Sequence, residues 1–249
     1  MKNDFIVGII GGNGRMGVAL NDFFKSKKVE TIVSDINLKI SNKELTKNAD
    51  IVVISTPVTI YEKILEEIYE ELNEDKMLMD IGSLKFREVA IMKKYFSGEI
   101  LATHPLFGPE KRFKGKENNI VISRFNSSEK TEFVLKLLRE NQLNIIEMTP
   151  EEHDKTMAYI HGFYYLMNIT YIEILQNNFK SFGKIKDLKT TSFSKYIENL
   201  KNNIFNTQDS LIELIAYENP FIKEVVDEFH KNLFKKVDFS KLKGFLENE

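Results

Sequence analysis

The sequence predicts an α/β fold, with an N-terminal Rossmann-type doubly wound sheet over residues 1–149 followed by an all-α domain over residues 150–249. Three observations carry this expectation. Short apolar runs alternate with longer helical patterns through the first part of the chain, a glycine-rich turn follows the first of those runs, and the strand rhythm stops at Pro150. Strands that alternate with helices build a parallel sheet whose helices cover both faces. In chain order, strands are expected over residues 5–10, 30–34, 51–54, 77–81, 100–102, 120–122 and 144–148. Helical patterns fall over 18–24, continuing from the glycines, and over 61–72. Thr149 reads as the N-cap of a long helix, with Pro150 in its first position and Glu152 in its third. Beyond it the pattern is helical almost throughout, and no glycine- or serine-rich linker separates the halves.

Composition narrows the function classes. A chain of 249 residues, 42% hydrophobic, has enough apolar material for a core and does not read as disordered. The net charge of −2 lacks the basic excess of a nucleic-acid binder. There is no cysteine, which excludes a disulfide framework, a thiolate nucleophile and a thiolate-held metal. The apolar run before the glycines is too short for a secretory signal, and no run of 18 apolar residues spans a membrane. The expectation is a cytoplasmic protein that works on a small molecule, without nucleic-acid or membrane partners.

The chemistry begins at FIVGIIGGNGRMGVAL, where Gly12, Gly14 and Gly17 fit the dinucleotide spacing between a strand and a helix. In this pattern Gly12 permits the tight turn, Gly14 admits a pyrophosphate to the backbone, and Gly17 lets helix and strand pack closely. Asn13, Arg15 and Met16 belong to the same loop, whose helix N-terminus offers N–H groups and a positive dipole to phosphates. Asp35 closes the second strand, 18 residues after Gly17. A carboxylate there accepts both ribose hydroxyls and repels a 2′-phosphate, so the expected cofactor is NAD; the other reading is an Asp that starts a turn. Ser55, Thr56 and Pro57 follow the third strand, where a loop passes beneath the cofactor or simply ends the strand. Ser83, in DIGSLK, stands after the fourth strand either as a hydrogen-bonding group near the nicotinamide or as a helix N-cap. His104, in ATHPLFGPE, sits on a loop at the carboxyl edge of the sheet and is a candidate general base. His153, Asp154 and His161 lie on the long helix. The eight-residue spacing of the two histidines and the lack of an evident third ligand argue against a metal site, and each histidine reads either as a cleft residue or as a solvent or interface one.

GGNGRMG, DIGSLK, HPLFGPE and HDKTMAYIH, in this order, resemble the prephenate dehydrogenase family over about two-thirds of the chain. The resemblance implies a Rossmann domain followed by a helical dimerisation domain, hence a homodimer. It also implies oxidative decarboxylation of prephenate to 4-hydroxyphenylpyruvate with NAD, in which His104 is the base, Ser83 its partner and Glu110 the acidic active-site residue. On the substrate side it leaves Lys85, Arg112 and His161 beside Glu110 as candidates. The chain departs from the family after His161, where Gly162, Phe163, Tyr164 and Tyr165 stand in place of a further histidine or arginine. It also departs over residues 202–213, which lack the arginine that holds a substrate carboxylate. No arginine follows Arg139, and a lysine binds a carboxylate as a point charge without a fork. Arogenate, or another cyclohexadienyl or hydroxy acid, therefore stands as an alternative substrate. A non-catalytic NAD-binding regulator is the alternative from another class, and the Ser83 and His104 pair argues against it.

Replacement of Asp35 by serine is expected to weaken NAD+ binding about 10- to 100-fold, the worth of charge-assisted hydrogen bonds, and to narrow the preference over NADP+. Dissociation constants for the two nucleotides check this, and equal affinity in the wild type would remove the role given to Asp35.

Overall fold

A computed structural model describes residues 5–111, 113–179, 185 and 189–247. The chain forms two compact units, Met1–Asp154 and Lys155–Glu249. The division falls inside a helix, five residues beyond Thr149, because His153 and Asp154 hydrogen-bond back to the first unit.

The first unit is built on a seven-stranded sheet. Its strands are β1 (Ile6–Ile10), β2 (Glu30–Ser34), β3 (Ile51–Ile54), β4 (Met77–Asp80), β5 (Glu99–Pro105), β6 (Asn119–Phe125) and β7 (Asn144–Glu147), in the spatial order β2-β1-β3-β4-β5-β6-β7. The order reverses at β1, so the carboxyl ends of β1 and β3 form the crevice in which doubly wound sheets hold ligands. All of β3 (IVVI) is buried, as expected of a strand covered on both faces. The helices α1 (Arg15–Ser26), α2 (Asn42–Asn48), α3 (Tyr61–Ile68), α4 (Phe86–Tyr95) and α5 (Glu129–Glu140) supply that cover. Leu20, Phe23 and Phe24 of α1 pack with Val134, Leu135 and Leu138 of α5 in one core.

Three expectations are corrected here. The sheet is not parallel throughout: β5 and β6 pair antiparallel, with His104 opposite Val121. The chain makes no crossover between them, and apolar patterning carries no information on strand direction. His104 therefore stands inside a strand and is 5% exposed; it is not on a loop. At the glycine turn, the left-handed residue is Gly11 (φ 79°) and not Gly12. The amides of Gly11 and Gly12 both donate to the carbonyl of Ser34, which ties the turn to the end of β2. Gly12 is required for another reason, since a Cβ there would stand 2.2 Å from Val33 Cγ1.

The second unit is helical. Helix α6 (Pro150–Met157) opens with the expected reciprocal cap: Glu152 N donates to Thr149 Oγ1 at 3.2 Å, and Thr149 N to Glu152 Oε2 at 2.9 Å. Hydrogen bonds from Thr149 hold the Glu152 carboxyl below its ordinary range. After Met157 the helix widens into one π turn, Ala158–Gly162, and continues as α7 (Phe163–Asn178). Helices α8 (Thr191–Asn206), α9 (Asp209–Tyr217), α10 (Ile222–Asn232) and α11 (Phe239–Leu246) follow. Tyr165, Ile212, Ile215 and Ala216 form a small core, to which Phe205 and Phe234, 82% and 94% exposed, do not contribute. Among the described residues, no helix is long and apolar enough to cross a membrane.

Substitution of Gly17 by alanine tests the packing of α1 on the turn. A Cβ at Gly17 would stand 2.4 Å from Gly11 O and 2.8 Å from Gly12 Cα, both backbone atoms. Overpacking of this kind costs about 1–3 kcal/mol, more than a helix gains from alanine, so urea unfolding should show net destabilisation.

Candidate active site

The first part of the site is the turn between β1 and α1. Gly14 caps α1 without a side-chain bond, and no acidic residue lies in the first turn, so no side chain of that turn offsets the positive end of the helix dipole. Asn13, Gly14 and Arg15 are exposed. A Cβ at Gly14 would meet Gly11 O at 3.2 Å and Ser55 O at 3.9 Å, so the two loops approach each other at this point. Ser55 Oγ and Thr56 Oγ1 are buried without a hydrogen-bond partner among the described residues, while Pro57 is exposed. Orphaned hydroxyls beside a bare helix N-terminus fit a polar phosphate-bearing group. Asp35 lies at the end of β2, where Oδ2 accepts the Asn13 amide at 2.9 Å and Oδ1 that of Ile36 at 2.8 Å. These bonds orient the carboxylate beside the loop.

The second part lies at the ends of β4 and β5. Asp80 is wholly buried and accepts from Tyr61 Oη at 3.1 Å, Gly82 N at 2.9 Å, Thr103 N at 3.2 Å and the Lys85 ammonium. Its own carbonyl accepts Thr103 Oγ1 at 2.6 Å. Asp80 thus joins β4, the start of α4 and the residue before His104. Burial, followed by the charges of Asp80 and Glu88, pushes the Tyr61 hydroxyl well above its ordinary value.

The third part is a chain of polar side chains. His104 Nδ1 stands 2.9 Å from His153 Nε2, and His153 Nδ1 stands 2.6 Å from Asp154 Oδ1. The same Asp154 carboxylate accepts the amides of Lys85 at 2.8 Å and Phe86 at 2.9 Å, so it caps α4 from 69 residues away. Asp154 is acceptor-only, so Nδ1 of His153 carries a hydrogen. In neutral His153, Nε2 then accepts from His104 Nδ1–H. This order leaves the lone pair of His104 on Nε2.

The expected site residues fall into different places. The glycine loop, Asp35, Ser55 and Thr56 gather at the β1–β3 crevice, and His104 gathers with His153 and Asp154. Ser83 is half-buried and does not cap α4, whose N-cap is Lys85. Lys85 is 1% exposed and paired to Asp80, so its ammonium is committed inside the protein and is not offered to a substrate carboxylate. Glu110 is exposed on the turn after β5. Arg112 lies outside the described residues. His161 belongs to the second unit, where it sits in the π turn with its ring 5.3 Å from that of Tyr165, and burial lowers its proton affinity. No role was expected of Asp80, and Asp154 was expected only as a member of the HD pair on the long helix. The HD pair gave a signal, but its partners lie 49 and 69 residues away in the chain.

Residues 13–135 match the family described as the prephenate dehydrogenase nucleotide-binding domain. A probable arogenate/prephenate dehydrogenase of Methanocaldococcus jannaschii is 23% identical, with 94% of this chain aligned to 54% of that protein. A T-protein of Haemophilus influenzae is 26% identical over 62% of this chain and 41% of its own length. The chain thus spans about half, or less, of the length of these relatives. Among solved structures, Aquifex aeolicus prephenate dehydrogenase in complex with hydroxyphenyl propionate and NAD+ superposes with a TM-score of 0.73 at 18% identity, covering 92% of this chain and 88% of that one. Synechocystis arogenate dehydrogenase gives 0.72 at 16% identity, covering 98% and 92%. The fold is the shared feature.

Replacement of Asp154 by alanine removes the cap of α4 and leaves buried amides unpaired. The expected loss of stability is about 2–4 kcal/mol, read as a fall in the urea midpoint of the first unit.

Proposed function

We propose that the chain, whose residues 13–135 match the prephenate dehydrogenase nucleotide-binding domain, is an NAD-dependent dehydrogenase of that family that oxidises prephenate to 4-hydroxyphenylpyruvate. The observation that carries the proposal is the hydrogen-bonded chain His104–His153–Asp154 at the carboxyl edge of a nucleotide-binding sheet. Gly12, Gly14 and Gly17 with the α1 amides hold the pyrophosphate, Asp35 the ribose hydroxyls, and Ser55 and Thr56 supply hydroxyls beneath the cofactor. When bound, NAD+ supplies the hydride acceptor.

In this reading His104 Nε2 takes the proton from the ring hydroxyl as hydride leaves the same carbon, and carbon dioxide departs as the ring becomes aromatic. His153 and Asp154 hold His104 in the tautomer that can do this, and the positive charge on His104 is shared through His153 toward the carboxylate. Ser83 is a donor for the substrate hydroxyl or the nicotinamide, and Glu110 is the acidic residue on the substrate side. Arogenate is the second reading, favoured by one observation: residues 155–249 contain no arginine, and arogenate, whose ammonium offsets one of its two carboxylates, calls for less positive charge. Tyr164 and Tyr165 are already engaged within the helical unit, with Asn203 and Thr207. The helical unit forms a homodimer in this proposal. Phe163, Leu166, Ile169, Ile172 and Leu175 are only half-buried in the single chain, and Phe239 and Phe245 are exposed.

Three outcomes are expected. His104→Asn lowers turnover about 10²- to 10⁴-fold with little change in NAD+ affinity, and Ser83→Ala costs less. The wild-type rate falls at acid pH as imidazole takes up a proton, and the variant loses that limb; a fully active variant with an unchanged profile would remove His104 as the base. NADH formation with prephenate and with arogenate separates the two substrates, and turnover of neither would sink the enzyme reading. Light scattering at micromolar concentration should report a dimer.

A further inference from the structure

Glu88 lies in the first turn of α4, three residues after the N-cap Lys85. A glutamate at this position ordinarily turns back to accept the N-cap amide. Here Asp154 has taken that amide, and Glu88 is left 0% exposed with neither Oε1 nor Oε2 hydrogen-bonded to another described residue. An isolated carboxylate in such a place is costly unless it is paired or neutral. The groups that act on it are Lys85 at the head of its own helix, Asp80 on β4, Tyr61 on α3 and Asp154 on α6. Lys85 is already engaged by Asp80, and among the described residues no other cation pairs with Glu88. Burial dominates: it pushes the carboxyl up to about 7, with Lys85 opposing, and Asp80 and Asp154 adding to the rise.

We propose that Glu88 is a positioning residue for the reaction: the charge on its carboxyl sets the field at Asp154, and through Asp154 the strength with which the His104–His153 pair holds the proton taken from substrate. The proposal rests on the assignment of His104 as the base. When Glu88 is neutral, the buried group contains one cation and one anion, Lys85 and Asp80, beside Asp154. When Glu88 loses its proton, the buried group carries a further anion whose charge reaches Asp154, and the imidazolium is favoured. The base then becomes stronger in the pH range where it must remain unprotonated in the resting enzyme. The carboxyl makes no hydrogen bond to Asp154; its charge acts from a distance on the Asp154–His153–His104 chain.

Two measurements test this. With glutamate labelled at its side-chain carboxyl carbon, the wild-type protein should show one carboxyl resonance that titrates near pH 7, apart from the others, and Glu88→Gln should remove that resonance. In parallel, Glu88→Gln should shift the acid limb of kcat/KM to lower pH by about half to one unit, the size of effect expected of one nearby charge. It should also make the limb steeper, because proton uptake at two coupled groups is anticooperative and spreads the wild-type limb. If every glutamate carboxyl titrates in the ordinary range, the proposal is overturned whether or not the variant folds. An unchanged acid limb in an active, folded Glu88→Gln variant overturns it as well. The titration requires no substrate, so it stands even if neither prephenate nor arogenate is turned over, and that outcome would count against the enzyme reading alone.

Discussion

The Asp154 carboxylate is the group on which the rest of the site depends. Its two oxygens receive the amides of Lys85 and Phe86 and the Nδ1–H of His153. A buried carboxylate survives in a protein interior when its lone pairs are filled and a helix N-terminus faces it. Asp154 meets both conditions, and in doing so performs two tasks. It ends α4 without any local capping side chain, and it decides which nitrogen of each histidine carries a hydrogen. Stability and proton chemistry therefore share one atom group, and neither can be altered without the other.

Asp80 plays the complementary part on the sheet side. A buried ion pair such as Asp80–Lys85 recovers its desolvation cost only when further hydrogen bonds complete it, and Tyr61, Gly82 and Thr103 do so here. Because Thr103 precedes His104 on β5, the pair clamps the strand that carries the histidine. The two carboxylates hold the site from opposite sides: Asp80 fixes the backbone beneath His104, and Asp154 fixes its ring through His153.

Local patterns were legible in the sequence, and long-range partners were not. The runs ETIVS and IVVI became strands with the expected limits, and the Thr149–Glu152 cap formed as read, because each depends on neighbours a few residues apart. The spacing of Gly12, Gly14 and Gly17 identified the turn, but only the backbone angles showed that Gly11 bears its left-handed residue. Lys85 looked like a cation available to a substrate, because a side chain's burial and its partner Asp80 do not appear in a spacing. His153 and Asp154 looked ambiguous on a helix face, since the strand and helix that give them meaning lie 49 and 69 residues earlier. The antiparallel direction of β6 was hidden for the same reason: an apolar run reads alike in both directions.

That antiparallel strand bears on the order in which the sheet can assemble. Parallel neighbours need a crossover before their first hydrogen bond, whereas β5 and β6 are joined by residues 106–118 alone and can meet after a single loop closure. The ladder from Ile100–Phe125 to Pro105–Ile120 is therefore the sheet's most local pairing and a natural starting point for its folding. The pairings of β1 with β2 and β3, which bring the glycine turn to the end of β2 and beside the loop after β3, depend on more distant closures. On this topology the strand bearing His104 has the shortest connection in the sheet to close, and the strands of the nucleotide crevice have longer ones.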